Sequence, residues 1–223
     1  MIVIPAYKEK ASELIRNISS IASSEKFLVI VVANSHEEDD KITQAMANDL
    51  AAGLPKIQIS DEVCLSTYQK YDILIVDCFS KTRILKKKEG VGAARKIGCD
   101  IALSLIVSKK IKSQWVFSSD ADAILPKNYF ESKLNRDTVA KVFSFSHTHT
   151  PEISEAMLLY EVKLLYYAAG LTSANSPYAY PPLGSCLCFS AEAYAKIRGF
   201  PKRNSGEDFY FLNKLRKIGK IHS

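Results

Sequence analysis

Apolar runs alternate with helix-like segments along the first half of the chain. Four runs are short and almost continuously apolar, as buried strands are, and they comprise residues 2–4, 27–32, 71–76 and 115–117. Three longer segments have helical character, and they comprise residues 11–24, 41–52 and 92–107. This alternation predicts an α/β fold with a Rossmann-like, mainly parallel sheet that has helices on both faces.

The second half of the chain has a different pattern. Aromatic and polar residues alternate through 142–150, which predicts a strand with one exposed face. His147 and His149 lie on that face; a half-exposed strand accounts for them, and a two-histidine metal site is the alternative. Helices predicted at 152–170 and 209–218 and a strand predicted at 187–189 complete a smaller, mixed portion of the fold.

Two carboxylates follow the strand predicted at 115–117. Side chains alternate along an extended chain, so Asp120 and Asp122 are expected to share one face of it. Paired carboxylates at the carboxyl end of a strand suit a hard divalent cation that also binds phosphate oxygens. The alternative is a polar strand end with two hydrated acids, because Asp-x-Asp is a short motif with many chance occurrences.

Other polar residues also follow the predicted parallel strands. In such sheets ligands bind beyond the carboxyl ends of the strands. The polar residues at those ends are Tyr7, Lys8, Glu9, Asn34, Ser35, Asp77, Asp120 and Asp122. We expect them to converge on one rim of the sheet, which would unite four separate strand ends in one candidate site.

A glycine-rich segment, residues 89–98, leads into the third predicted helix. It is no dinucleotide fingerprint, since Arg95 stands where that motif requires glycine, and it is no P-loop. Backbone N–H groups after Gly90 and Gly92, with Arg95 in a first helical turn, favour an anion. A plain helix start is the alternative.

Two more acids, Glu207 and Asp208, follow Gly206 at the start of the last predicted helix. Acids are common in a first helical turn because they interact favourably with the helix dipole. The alternative is functional: one of them reaches the ligand rim as a general base.

Composition narrows the class of protein. A chain of 223 residues, 47% hydrophobic and 24% charged, is typical of one large globular domain. A net charge of +6 suits a phosphate-bearing ligand or peripheral association with an anionic membrane, and the lack of a basic stripe interleaved with aromatics argues against nucleic acid. Five cysteines without metal-binding spacing are expected to be buried free thiols. With no signal peptide expected, they predict a cytoplasmic protein, free or at the inner face of the membrane.

Four motifs make the chain resemble family 2 glycosyltransferases of the GT-A fold. They are Ile2-Val3-Ile4-Pro5-Ala6-Tyr7-Lys8-Glu9, Gly90-Val91-Gly92-Ala93-Ala94-Arg95, Asp120-Ala121-Asp122 and Gly206-Glu207-Asp208, in the order of that family. The resemblance covers nearly the whole chain. It implies a single GT-A domain over 1–223, with a nucleotide-sugar-binding half at 1–125 and an acceptor-side half at 126–223.

The resemblance also implies roles for individual residues. Asp122 and Asp120 would hold a divalent metal, Mn²⁺ or Mg²⁺, on the diphosphate of a nucleotide sugar. Asp208, with Glu207 as its neighbour, would deprotonate the acceptor. Contacts to the nucleotide sugar are expected from Pro5, Ala6, Tyr7, Glu9, Asn34, Arg95 and Asp120. The implied reaction, in polysaccharide or glycoconjugate biosynthesis, transfers a sugar with inversion to a glycan, a lipid-linked acceptor or a small molecule.

The chain departs from the family pattern at three places. Lys8 stands where the family usually has asparagine, and the chain stops at Ser223, soon after the acid pair. The second strand ends in Asn34-Ser35 rather than an acidic pair, so the nucleotide base is left open; the Asn34 amide offers it hydrogen bonds.

Two other functions stay open. A sugar-nucleotide nucleotidyltransferase uses similar carboxylates, but residues 5–9 are not the glycine-rich basic loop that such enzymes carry. A non-catalytic domain that binds a sugar nucleotide or glycan is the other, and the intact acid at Asp208 argues against it.

Overall fold

The computed structural model of the protein describes residues 1–23, 25–52, 55–131 and 137–223. Nine strands and six α-helices lie in these ranges. In chain order they are β1 (Ile2–Ala6), α1 (Ala11–Ser19), β2 (Phe27–Asn34), α2 (Lys41–Leu50), β3 (Lys56–Ser60), β4 (Val63–Thr67), β5 (Tyr71–Cys78), α3 (Gly90–Val107), β6 (Trp115–Ser118), β7 (Thr138–Val142), α4 (Ser154–Ser173), β8 (Leu187–Ser190), α5 (Ala191–Lys196), α6 (Glu207–Arg216) and β9 (Lys220–His222).

The strands of the described residues form a single sheet in the order β3-β4-β5-β2-β1-β6-β8-β7-β9. Its centre, β5-β2-β1-β6, is parallel, as the four apolar runs predict. The sheet as a whole is mixed, so the prediction of a mainly parallel sheet is wrong. The pairs β3–β4, β4–β5, β6–β8 and β7–β8 are antiparallel, and β7–β9 is parallel.

The antiparallel strands β3 and β4 are not marked by buried apolar runs. Every residue of β3 is exposed, and β4 alternates between half-buried and buried positions, because these strands form a hairpin at one edge of the sheet. On the other side β6 pairs antiparallel with β8, from Trp115 opposite Ser190 to Ser118 opposite Leu187. This pairing joins strands from 1–125 and 126–223 in the same sheet.

Helices cover both faces of the sheet. Along β1, Ile2 and Ile4 pack on the face that α1 and α2 cover, while Val3 packs on the face that α3 covers. Phe211 of α6 joins the α3 face. Full burial of one such aliphatic or aromatic side chain stabilises the fold by roughly 1.5–3 kcal/mol. The buried side chains on the two faces of the sheet together form the hydrophobic core.

The cysteines are free thiols, and four of them are buried, as predicted; these are Cys64, Cys78, Cys99 and Cys188. Burial raises the pKa of the Cys78 thiol to about 12 and that of Cys188 to about 12. Both thiols are therefore protonated at neutral pH, where they pack as small apolar groups.

Helix α4 packs differently from the others. All of its residues, which lie wholly inside the described ranges, are exposed or half-buried. The large apolar side chains Leu159 and Tyr166 are 64% and 79% exposed. Within the part of the chain that the structure describes, no helix combines the length and apolar character that crossing a membrane requires.

The strand predicted at 142–150 is wrong beyond its first residue. β7 ends at Val142, and residues 143–150 have no regular secondary structure. The reason lies in contacts with α4: His147 Nδ1 lies 2.9 Å from Glu161 Oε1, and His149 Nε2 lies 3.0 Å from Ser154 Oγ. Both histidines thus bind α4 instead of lining a strand face.

Several helix boundaries also differ from those predicted: α2 ends at Leu50 rather than at residue 52, α4 spans Ser154–Ser173 rather than 152–170, and α6 spans Glu207–Arg216 rather than 209–218. α1 ends at Ser19 rather than at residue 24, and Ser24 itself lies outside the described residues. α3 begins at Gly90, two residues earlier than predicted, which changes the position of Arg95 in the helix.

Candidate functional site

The central strands bring their carboxyl ends to one rim. Because β5, β2, β1 and β6 are adjacent and parallel, the residues after Cys78, Asn34, Ala6 and Ser118 follow one edge of the sheet. The predicted convergence of these strand ends is therefore confirmed. The order of the strands reverses between β1 and β6, since β2 and β5 lie on the far side of β1. Open α/β sheets bind ligands at such a switch point.

Three carboxylates lie beside this switch point. Asp120 is half-buried and Asp122 is exposed, both just beyond β6, and Glu9 follows β1. Burial raises the pKa of the Glu9 carboxyl, and the negative charges of Asp122 and Asp120 raise it further. The charges of both aspartates thus act on Glu9, and this concentration of negative charge makes this part of the rim attractive to a cation.

The donors here fit a hard divalent cation. Asp120 and Asp122 offer carboxylate oxygens, which Mg²⁺ and Mn²⁺ prefer, and a positive charge would relieve the repulsion felt by Glu9. Within the described ranges no three His, Cys, Asp or Glu side chains are already grouped as a metal site. Asp122 and Asp120 are the residues that would hold such an ion.

Arg95 connects this acidic rim to the second acid pair. It lies in the second turn of α3, not the first, and is 3% exposed. Its Nη2 donates to Asp120 Oδ1 at 2.5 Å, and its Nε donates to Glu207 Oε1 at 3.1 Å. Its Nη1 donates to Ser118 Oγ at 2.8 Å and to Ser119 O at 3.3 Å. The structure shows Arg95 holding two carboxylates; a direct contact with the nucleotide stays a prediction.

The glycines before Arg95 serve packing at the start of α3. The Gly90 N–H donates to Lys86 O at 3.3 Å, and the Gly92 N–H donates to Arg203 O at 3.0 Å. A Cβ on Gly92 would lie 2.4 Å from Pro201 O, so only glycine lets the loop approach. These N–H groups are used by the protein itself, which agrees with the plain helix start rather than an anion site.

The acids that open α6 have different surroundings. Glu207 is 5% exposed and bound to Arg95. Asp208 is half-buried; its Oδ2 accepts from the Gly184 N–H at 2.9 Å and its Oδ1 from the Phe209 N–H at 2.7 Å. Burial raises the pKa of both carboxyls, although the Arg95 charge opposes the increase. Of the two, Asp208 is the acid that a ligand on the rim can reach.

A second cluster lies beyond the ends of β1 and β2. Tyr7 Oη donates to Glu37 Oε1 at 2.5 Å, Lys8 Nζ lies 2.7 Å from Glu37 Oε2, and the Tyr7 and His36 rings are 5.2 Å apart. Lys8 has φ 56°, a left-handed conformation that is uncommon for residues other than glycine and is often found at functional sites. Glu37 and His36 were not among the residues predicted for the rim, although the polar run after β2 is the signal that marks them.

The remaining predicted rim residues are less accessible. Pro5 and Ala6 are buried in β1. The Oδ1 atom of Asn34 is buried and has no hydrogen-bond partner among the described residues. Asp77 accepts hydrogen bonds from the Phe79 N–H at 3.0 Å and from Arg83 Nη1 at 2.9 Å. Asp77 therefore stabilises the loop that follows β5. The Asn34 Oδ1 atom, by contrast, is an acceptor to which a ligand or water would donate a hydrogen bond.

Comparison with models of known protein families gave no match, and comparison with curated protein sequences gave none either.

Proposed function

We propose that the protein is a glycosyltransferase of GT-A type that transfers a sugar from a nucleotide-diphosphate donor to an acceptor hydroxyl, with inversion and with a divalent metal. One observation carries this proposal: Arg95 binds both Asp120 and Glu207. Two acidic motifs far apart in the chain thereby meet at the switch point in the parallel centre of the mixed sheet, where a ligand is expected.

The donor half of the site would lie over β1 and β6. Asp122 and Asp120 would hold the metal, which when bound neutralises negative charge on the leaving diphosphate. Tyr7 offers an aromatic ring beside the end of β1, and the amide of Asn34 offers hydrogen bonds to a base. Arg95 would fix Asp120 in orientation, because a guanidinium bound at three nitrogens has little freedom to turn.

The acceptor half would depend on Asp208. Its carboxylate accepts the proton of the acceptor hydroxyl while the hydroxyl oxygen forms a bond to the anomeric carbon. The bond from that carbon to the diphosphate oxygen breaks, and the nucleoside diphosphate leaves with the electron pair. A single displacement from the opposite face inverts the anomeric centre. Burial raises the pKa of Asp208, which makes it a stronger base than an exposed aspartate.

The experiment is a binding and transfer test on the purified chain. Thermal shift with a panel of nucleoside diphosphates and sugar nucleotides, with and without Mn²⁺ or Mg²⁺, identifies the donor, because a ligand of the folded state raises its stability. Transfer from that donor is then measured with glycan, lipid-linked and small-molecule acceptors. Asp122→Asn should reduce the metal-dependent part of nucleotide affinity by about 10-fold or more.

Asp137→Asn is the matched control. Asp137 is also an exposed aspartate, but it precedes β7, which runs parallel to β6, so it lies at the opposite rim. This variant should bind nucleotide and metal as the parent does. Equal affinity in the Asp122→Asn variant and the parent would contradict the metal assignment. Tight sugar-nucleotide binding without turnover would indicate a binding domain, and reaction with a nucleoside triphosphate would indicate a nucleotidyltransferase.

A further inference from the structure

Gly184, just before β8, touches both halves of the candidate site. Its backbone N–H donates to Asp208 Oδ2 at 2.9 Å. On its other side, a Cβ added to Gly184 would lie 2.7 Å from Arg95 Nη2, 2.8 Å from Cζ and 2.9 Å from Nε. Real Cβ atoms do not approach other atoms so closely, so the bare backbone is needed for the guanidinium to lie against it.

The Arg95 side chain has no room to yield to a side chain at position 184. It is 3% exposed, and its nitrogens donate to Asp120, Ser118 and Glu207. Moving the guanidinium would break charge-assisted hydrogen bonds to two carboxylates, each typically worth more than a neutral one. The alternative is that residue 184 moves, which takes its N–H away from Asp208.

We propose that Gly184 is a positioning residue that couples the metal-side carboxylate Asp120 to the base Asp208 through Arg95. The absence of a side chain lets one backbone N–H orient Asp208 while the guanidinium that orients Asp120 packs against the same residue. This inference rests on the proposed function for its catalytic meaning, but the physical coupling is testable without any turnover. Glycine at this position would therefore be required for the geometry of the site rather than for a turn.

The first experiment compares Gly184→Ala with Gly170→Ala. Gly170 lies in α4, and in the described structure no atom lies within 4 Å of a Cβ placed there. A misplacement of about 1 Å can cost about 10²-fold in rate, so Gly184→Ala should lower kcat by up to that factor with a smaller change in the donor KM. The acid limb of its pH–rate profile should move to higher pH, while Gly170→Ala follows the parent. A parental kcat and pH profile in Gly184→Ala would overturn the proposal.

The second experiment follows the Asp208 carboxyl directly by ¹³C NMR, assigned with Asp208→Asn, in the parent and both glycine variants. A hydrogen bond to the ionised carboxylate lowers its pKa, so loss of the Gly184 N–H bond should raise the pKa of Asp208. Among the described residues, the Arg95 charge acts on Asp208 and the charges of Asp208 and Glu207 act on each other, and both Arg95 and Glu207 remain in the variant. If the parent transfers no sugar, the proposed function fails, yet this titration still decides the coupling. An unchanged titration in a folded Gly184→Ala variant would refute it.

A double variant tests whether Arg95 carries the coupling. Gly184→Ala with Arg95→Lys replaces the planar guanidinium by a narrower group, so the combined loss of kcat should be smaller than the product of the two single losses. Independent, multiplicative losses would overturn the role of Arg95. If Gly184→Ala does not fold, the double variant should regain the fold. If it too fails to fold although Arg95→Lys alone folds, Arg95 is not the obstacle and the proposal is wrong.

Discussion

At the residue scale, two aspartates on the same rim have opposite surroundings. Asp208 is half-buried at the start of α6, and burial raises the pKa of its carboxyl. Burial alone would also raise the pKa of Asp77, but hydrogen bonds from Ser80, the Phe79 N–H and Arg83 outweigh it, and the pKa is lowered. A raised pKa suits a base that must take a proton, whereas a lowered pKa indicates a carboxylate that stabilises the fold through hydrogen bonds to its ionised form.

Replacement of Asp208 by asparagine should abolish most transfer and leave the donor site intact. Asparagine keeps the size and the acceptor oxygen but cannot take a proton, and general-base catalysis is typically worth about 10²–10⁴ in rate. We expect kcat to fall by that factor with donor affinity unchanged, measured by initial rates and calorimetry. In the parent, rate should be lost as pH falls through the raised pKa of Asp208, above the ordinary value of 3.8.

Glu207→Gln is the comparison variant for that prediction. Glutamine can still accept from Arg95 Nε but loses the charge, so we expect a loss of stability together with a smaller loss of rate. If Glu207→Gln lost transfer at unchanged stability while Asp208→Asn remained active, the base would be Glu207. Near-parental rates in both variants would rule out this inverting mechanism.

Asp77 should matter for stability and not for ligand binding. Asp77 is half-buried, and removing a carboxylate that accepts several hydrogen bonds typically costs about 1–3 kcal/mol, so Asp77→Ala should lower the free energy of unfolding by about that amount at pH 7. Because the folded-state pKa is lowered, this contribution is present above about pH 3.8 and is lost as pH falls through the folded pKa. Urea unfolding across pH 3–7 measures it, and an equal difference between variant and parent at all pH values would contradict it.

At the scale of elements, α3 and α4 differ in how closely they pack: α3 packs tightly on the sheet, whereas α4, which is described over its whole length, has no buried residue. α3 crosses the sheet closely, because Gly98 leaves room for β1: a Cβ there would lie 2.4 Å from Val3 Cγ1. α4 keeps Leu159 and Tyr166 in solvent and is connected to the 143–150 segment through His147–Glu161 and His149–Ser154 contacts. Close packing therefore decides what a substitution at Gly98 does in α3, whereas helix propensity decides it at Gly170 in α4, where no described atom lies close to the added Cβ.

Alanine at two helical glycines should have effects of opposite sign. Alanine is intrinsically more favourable in a helix than glycine by about 0.8–1 kcal/mol. Gly170→Ala should show up to that gain, since no described atom is within 4 Å of the new Cβ. Gly98→Ala should instead destabilise by about 1–3 kcal/mol, because overpacking separates α3 from Val3. The urea unfolding midpoints of both variants measure these changes in stability. Stabilisation in both variants would show that α3 can move away from Val3 without a cost in stability.

At the scale of the whole molecule, one sheet runs through both parts of the chain. β6 belongs to residues 1–125 and pairs with β8 of residues 126–223, and α6 packs with α3 on the same face. Apolar contacts therefore cross from one part to the other over the length of the core. Neither part can bury its share of the sheet when the other is unfolded.

We accordingly expect one cooperative unfolding transition. Trp115 is the single tryptophan and lies at the start of β6, where the two parts of the chain meet. Its fluorescence and the far-UV circular dichroism should report the same urea midpoint, because both follow the same loss of the sheet. Two separated midpoints would mean that residues 1–125 and 126–223 unfold independently.

The central architecture and the location of the rim follow from the amino-acid pattern. The strands β1, β2, β5 and β6 are almost continuous apolar runs because they are buried on both faces of the sheet. Such runs can be recognised in the sequence without knowing which strands pair with them. Parallel strands must place their carboxyl ends together, so the convergence of Glu9, Asp120 and Asp122 also follows from local patterns.

The mixed sheet and the hydrogen-bond partners within the site depend instead on contacts between distant parts of the chain. β3 is exposed along its whole length, so no apolar run marks it, and residues 143–150 alternate like a strand but are bound to α4 by their histidines. The glycine-rich segment predicts that Arg95 binds an anionic ligand, whereas in the folded protein Arg95 is buried between Asp120 and Glu207. The physical reason is that burial and hydrogen bonding between α3, β6 and α6 depend on contacts distant in sequence, which no local periodicity encodes.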